Sequence, residues 1–204
     1  LVLLLPQQLK AFHPSALPEY LVNLSMLQIP VGVSSLSGVY WTLWVEATFY
    51  ILMAVVAGRS GLSYNKLVAV AFFWPLLGLY AQNLRVYPLA TFLQADNAAL
   101  FSGVICIYLL YRYGHSLLTW SLLLANAGLS SWRVSTGGFL TSMENNTRQD
   151  LSSTITAALI LSFFVAVYLA STPRFRGRGW KILTTAGALT YPLYLIHEEW
   201  GWYA

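Results

Sequence analysis

Residues 38–57 read GVYWTLWVEATFYILMAVVA, an apolar run in which Glu46 is the only ionisable side chain apart from the tyrosines. About 20 such residues cross the hydrocarbon core of a bilayer as an α-helix. The run therefore predicts a membrane-spanning helix, and the acid restricts where that helix can sit. A carboxylate at that depth costs about 2.5–3.5 kcal/mol on insertion scales, so it is expected to face other protein or a polar cavity. At helical spacing Thr42, Glu46, Phe49, Tyr50 and Met53 share one face, with hydroxyls on both sides of the acid. Two roles suit such a residue: a structural one, tying helix to helix, and a functional one, holding or passing a proton.

The rest of the chain fits the same solvent. Hydrophobic residues make up 57% and charged residues 9%, with a mean hydropathy of +0.61. A soluble domain carries about 25% charged residues, so this chain cannot coat itself with a hydrated surface. The net charge of +4 and pI near 9.2 arise from bases set between apolar runs. They form no basic face, which argues for membrane topology and against a nucleic-acid partner. Cys106 is the only cysteine and lies in an apolar run, so it has no intrachain disulfide partner and core packing is its expected role. Scattered acids and histidines predict no metal site, and no P-loop, dinucleotide fingerprint, zinc-protease motif or nucleophile elbow occurs.

Six stretches are expected to span: residues 38–57, 65–82, 97–113, 116–132, 151–171 and 182 to about 203. Residues 1–9 read as the tail of another span, and 20–36, broken by Pro30 and Gly32, as a surface or re-entrant segment. Residues 133–150 are polar, with Gly137, Gly138 and paired asparagines, and read as a flexible surface connection. Trp120, Trp132, Trp180, Trp200 and Trp202 mostly flank spans, as interfacial belt residues do. The fold class expected is all-α, a multi-spanning helical bundle that is part of a larger one. The chain opens without methionine and without a basic leader, and closes without a polar tail, so an internal piece of a longer membrane protein is expected.

Alternate loops differ in charge. One set holds Arg59, Lys66, Arg112, Arg174, Arg176, Arg178 and Lys181; the other holds Lys10, Arg85, Arg133 and Arg148, together with Glu19, Glu144, Asp150 and, near its edge, Asp96. The richer set is expected to be cytoplasmic.

Two segments carry the candidate chemistry. The first is Tyr40-Trp41-Thr42-Leu43-Trp44-Val45-Glu46, followed by Phe49 and Tyr50; the second is Leu189-Thr190-Tyr191-Pro192-Leu193-Tyr194-Leu195-Ile196-His197. Together and in this order they resemble the integral-membrane acyltransferase 3 family, which includes enzymes that O-acetylate bacterial surface polysaccharides. Trp41, Thr42, Leu43, Glu46, Phe49 and Tyr50 match its Trp-Ser/Thr-Leu-x-x-Glu-x-x-Phe-Tyr segment. Tyr191, Tyr194, Leu195 and His197 match its Ser-Tyr-x-x-Tyr-Leu-x-His segment, with Thr190 in place of the serine. The resemblance covers essentially the whole chain but only the later part of the family domain. Residues 1–204 are thus expected to be a partial acyltransferase 3 membrane domain, with early spans and the C-terminal end outside it. Those early spans carry a basic residue and a histidine implicated in acyl transfer, and nothing here matches them. The principal general base is expected there, and the isolated chain is expected to be inactive.

The resemblance implies transfer of an acyl group, most often acetyl, from acyl-CoA to a hydroxyl of a carbohydrate or lipid-linked acceptor, in the bacterial inner membrane. Acyl-CoA is then a donor substrate, with no permanently bound cofactor. Glu46 and His197 are the expected catalytic residues, and Trp41, Thr42, Tyr50, Tyr191 and Tyr194 the expected substrate contacts. Thr190, Tyr194 and His197 form an i, i+4, i+7 stripe, about fifteen residues or ~22 Å into the last span at the imidazole. Arg174, Arg176 and Arg178 have two readings: topogenic anchoring against anionic lipid headgroups, and binding of the phosphates of coenzyme A. Two other functions also fit the residues. Intramembrane Glu and His build the relays of proton-coupled secondary transporters, although no inverted repeat is visible, and a catalytically inactive structural remnant is the other.

Overall fold

The computed structural model describes residues 17–25, 27–33, 40–147, 150–174, 185 and 187–190, and every regular element among them is helical. The expected all-α class is observed at this level. The chain divides into two compact units, Leu1–Leu52 with Gly179–Ala204, and Met53–Arg178.

In the first unit, α1 (Leu17–Leu24) leads to the single turn of α2 (Gln28–Val31). Gly32 ends α2 at φ 75°, a left-handed conformation that glycine adopts without a Cβ clash. Helix α3 (Tyr40–Ala57) begins here and finishes in the second unit. Its Trp44 and Thr48 are buried, and the Thr48 hydroxyl donates to the carbonyls of Trp44 at 3.0 Å and Val45 at 2.9 Å.

The second unit holds α4 (Tyr64–Asn83), α5 (Tyr87–Phe92), α6 (Ala98–Tyr113), α7 (Leu117–Thr136), α8 (Gly138–Thr147) and α9 (Ser153–Ser171). Three of these helices start on a serine. Ser63, Ser116 and Ser152 accept the amides of Lys66, Thr119 and Ile155, each satisfying a donor that the first helical turn leaves unpaired. Helix α6 packs on α4, α7 and α9, and α7 also touches α8 and α9. Successive long helices alternate in direction. The start of α4 meets the start of α7 through Tyr64 with Ser116 and Thr119, and Tyr64 lies edge-on to Tyr113 at the end of α6. At the opposite end, Arg133 of α7 reaches Gln82 of α4 and Asp96 just before α6. Trp120 near the start of α7 contacts Tyr168 near the end of α9.

Close approach and backbone capping hold these helices together. Pro75 sits inside α4 and has no amide for the carbonyl of Ala71. Asn126 of α7, itself buried, donates to that carbonyl at 3.0 Å. Trp74 stacks on Phe101 of α6 with centroids 5.7 Å apart and donates to the Leu93 carbonyl at 2.6 Å. Gly78 lets α4 approach Ala95, whose Cα would lie 3.0 Å from an added Cβ. Gly103 of α6 takes the ring of Phe164, the buried side chain of α9, in a space where no Cβ fits.

Five expected spans coincide with helices: 38–57 with α3, 65–82 with α4, 97–113 with α6, 116–132 with α7 and 151–171 with α9. The sixth, 182–203, falls largely outside the described residues, of which 187–190 are helical. By length and composition, α4 and α9 are the two described helices sufficient to cross a membrane. The apolar parts of α3 and α6 are shorter, and α7 reaches the length but carries Asn126, several serines and Arg133. Residues 133–150 differ from the flexible connection expected. Helix α7 continues to Thr136, Gly137 breaks it in an extended conformation, and α8 follows at once. The Glu144 carboxylate then accepts the Leu151 amide at 3.2 Å, fastening α8 to the start of α9.

Candidate functional site

The polar pair at the centre of α3 arises from helical spacing. Glu46 and Tyr50 lie four residues apart, and the Tyr50 hydroxyl donates to Glu46 Oε1 at 2.8 Å. A hydroxyl donating to a carboxylate makes a charge-assisted bond, stronger than one between neutral groups. It fixes one oxygen of the acid, and among the described residues Oε2 has no hydrogen-bond partner. Phe49 meets the Tyr50 ring edge-on with centroids 5.8 Å apart, which limits how the phenol can turn. Both Glu46 and Tyr50 are exposed, whereas Trp44 and Thr48 face inward. The acid therefore stands on the open side of α3 and can be reached by a group from outside the helix.

The remaining expected site residues are placed as follows. Thr42 is half-buried, one turn before Glu46 on the same helix, and Trp41 belongs to the first turns of α3. Leu189 and Thr190, at the head of the second motif, are helical and exposed. Tyr191, Tyr194 and His197 lie outside the described residues, as do Arg176 and Arg178. Arg174 is exposed in the turn after α9 and belongs to the second unit, whereas Glu46 belongs to the first. Glu46 and Tyr50 are thus the expected site residues that hydrogen-bond to one another among those described.

Three further polar groupings emerge in the second unit. Lys66 Nζ is bonded to the carbonyls of Val56 at 2.8 Å, Ala57 at 2.9 Å and Gly61 at 3.0 Å, and to Ser60 Oγ at 2.8 Å. The last carbonyls of α3 have no intrahelical donors and carry the negative end of the helix dipole, and the lysine side chain caps them. Arg133 pairs with Asp96 and Gln82, joining α7 and α4 to the turn before α6 at one end of the unit. The charge count alone put Asp96 and Arg133 on the same side of the membrane, and that was the available signal for this contact. His115 stacks on Trp120, whose indole donates to its Nδ1 at 3.2 Å, so Trp120 ties the turn before α7 to the start of that helix. Among the described residues, no three His, Cys, Asp or Glu side chains gather in a way that could hold a metal. Cys106 is fully buried in α6.

The chain matches no protein-family model, no curated protein and no solved structure.

Proposed function

We propose that this chain is the later part of a membrane-embedded acyltransferase, moving an acyl group, acetyl in the first instance, from cytoplasmic acyl-CoA to a hydroxyl of a carbohydrate or lipid-linked acceptor. The observation that carries this reading is the Glu46–Tyr50 hydrogen bond, at the glutamate and tyrosine of the first motif and on an apolar helix. The six-span arrangement in a bacterial inner membrane belongs to the same proposal. It is supported by the charges of the second unit, which gather at the two ends of the long helices and leave their middles uncharged. It is also supported by α9, where 6% of the apolar window is buried, far less than a soluble core helix needs.

In the reaction, a base takes the proton of the acceptor hydroxyl and its oxygen attacks the thioester carbonyl. The tetrahedral oxyanion then collapses and expels the coenzyme A thiolate. Glu46, with Oε1 held by Tyr50, orients that base or stores the proton on Oε2. By the resemblance, Trp41, Thr42, Tyr50, Tyr191, Tyr194 and His197 serve the acceptor, Tyr50, Tyr194 and His197 as hydroxyl and imidazole donors to it or to the oxyanion. Arg174, Arg176 and Arg178 give the cytoplasmic face the positive field that the donor's phosphates require.

The test is transfer of labelled acetate from acetyl-CoA to a base-labile ester on extracted glycans and lipids, using membranes that contain the intact enzyme. Transfer that depends on the enzyme and on Glu46 supports the proposal. Full expression with no ester formed on either acceptor class would sink it.

A further inference from the structure

A short turn links α6 to α7. Gly114 ends α6 at φ 89°, His115 follows, and Ser116 caps α7 by accepting the Thr119 amide. His115 is exposed, whereas Trp120, in the first turn of α7, is half-buried. The indole N–H of Trp120 donates to His115 Nδ1 at 3.2 Å, with the ring planes 9° apart. Trp120 also lies edge-on to Tyr168 of α9, with centroids 5.2 Å apart. One indole thus touches the turn on one side and α9 on the other.

The bond to the turn depends on a proton. A neutral imidazole has one donor nitrogen and one acceptor, and an indole N–H can only donate. The contact therefore exists only while Nδ1 keeps its lone pair and the ring proton sits on Nε2. A second proton makes Nδ1 a donor as well. Two N–H groups then face each other, and neither has a lone pair to offer. Histidine is the side chain whose ordinary titration brings this change between about pH 5 and 8.

Nothing described nearby replaces the lost bond with an ion pair. Tyr111 of α6 and Tyr168 and Thr172 of α9 line the same cavity of about 160 Å³ as His115. Of the charged groups on these helices, the Arg112 guanidinium sits over the Tyr113 ring, 5.7 Å from its centroid, and exposed Arg174 follows the end of α9. Arg133 of α7 is at the far end of its helix, paired with Asp96. Glu144 and Asp150 precede the start of α9, at the end opposite Tyr168. An imidazolium at position 115 would turn its new N–H to water.

We propose that His115 and Trp120 form a proton-operated clasp: neutral His115 holds the α6–α7 turn to the first turn of α7, and protonation releases it. The clasp is separate from acyl transfer.

The experiment is nitrogen-15 NMR of the purified full chain in detergent, from about pH 8 down to about pH 5, where imidazoles titrate. His115→Gln and Trp120→Phe each delete one signal and so assign the pair among three histidines and eight tryptophans. Neutral His115 is expected as the single Nε2–H tautomer. The Trp120 indole signal should move upfield in step with the His115 titration and recover when the pH is raised. Hydrogen-exchange protection of residues 115–120, corrected for intrinsic pH dependence, should fall about two- to tenfold across that step, the worth of one neutral hydrogen bond. Trp120→Phe, which keeps a ring but has no N–H, should show both tautomers and no protection step. An indole signal that stays fixed while His115 titrates overturns the proposal, as does an undiminished step in folded Trp120→Phe. A His115 that takes up no proton in this range overturns it too.

Discussion

The side-chain amide of Asn126 donates to the carbonyl of Ala71, the acceptor in α4 that Pro75 deprives of its intrahelical amide. A proline inside a helix costs about 3 kcal/mol or more in part because that carbonyl is orphaned. Asn126 is buried at this contact, so water does not replace the lost bond and the neighbouring helix supplies it. Asn126→Ala should therefore destabilise the protein by about 1–3 kcal/mol, the penalty for an unsatisfied buried acceptor. In a Pro75→Ala background the new amide takes over, and the same substitution should cost at least about 1 kcal/mol less. Unfolding midpoints of the four variants in detergent measure the coupling, and additive effects would show that the two sites are independent.

For the Glu46–Tyr50 pair, Glu46→Gln keeps shape but removes charge and proton-accepting capacity. Acyl transfer by the intact enzyme should fall at least about tenfold, or 1.4 kcal/mol of barrier, with insertion and expression unchanged. Tyr50→Phe should lower the rate in the same direction, because it frees the carboxylate oxygen that the phenol holds. Normal turnover in well-expressed Glu46→Gln removes the acid from the mechanism.

Topology can be read with single cysteines. Cys106 is fully buried, so it should not compete for a membrane-impermeant maleimide. Asn145→Cys on α8 and Arg174→Cys after α9 are both exposed sites, with α9 the long helix between them. Position 174 should label only from the cytoplasmic face and position 145 only from the other. Labelling of both from one face would break the alternation of spans.

Helix α4 ends in an unusual way for its sequence. Arg85 has φ 57°, and the bonds Arg85 N–H to Gln82 and Val86 N–H to Ala81, both 3.0 Å, close a turn that glycine normally serves. A side chain in that region costs roughly 1–2 kcal/mol, part of which glycine returns through its greater freedom in the unfolded chain. Arg85→Gly should therefore raise stability by about 0.5–1 kcal/mol. A lowered unfolding midpoint would mean that the Arg85 side chain contributes contacts worth more than the strain.

This same turn explains where the sequence was silent. Helices α3, α4, α6, α7 and α9 were legible because each is a long apolar run, and three of them begin after a serine that caps them. Helix α5 was not, since six residues give no periodicity and left-handed Arg85 and Gln94 stand where glycine would have marked its boundaries. Helix α8 was hidden for the opposite reason. Gly137 and Gly138 suggested a loop, yet Gly137 is merely extended and the chain resumes a helix at Gly138. The Glu46–Tyr50 contact followed from spacing along one helix. The role of Asn126 did not, because its acceptor lies 55 residues away and becomes vacant only through Pro75.

Lys66 gives the corner between α3 and α4 a built-in reporter. Every proton of its ammonium has an acceptor within the corner itself, supplied by Val56, Ala57, Ser60 and Gly61. An amine-directed reagent must draw this half-buried lysine out of those bonds before it reacts. Its modification rate therefore measures how often the corner springs open, a local event far smaller than unfolding. Followed by peptide mapping with and without acetyl-CoA, that rate would tell whether the loop end of α3 stays latched when the donor of the proposed reaction is present.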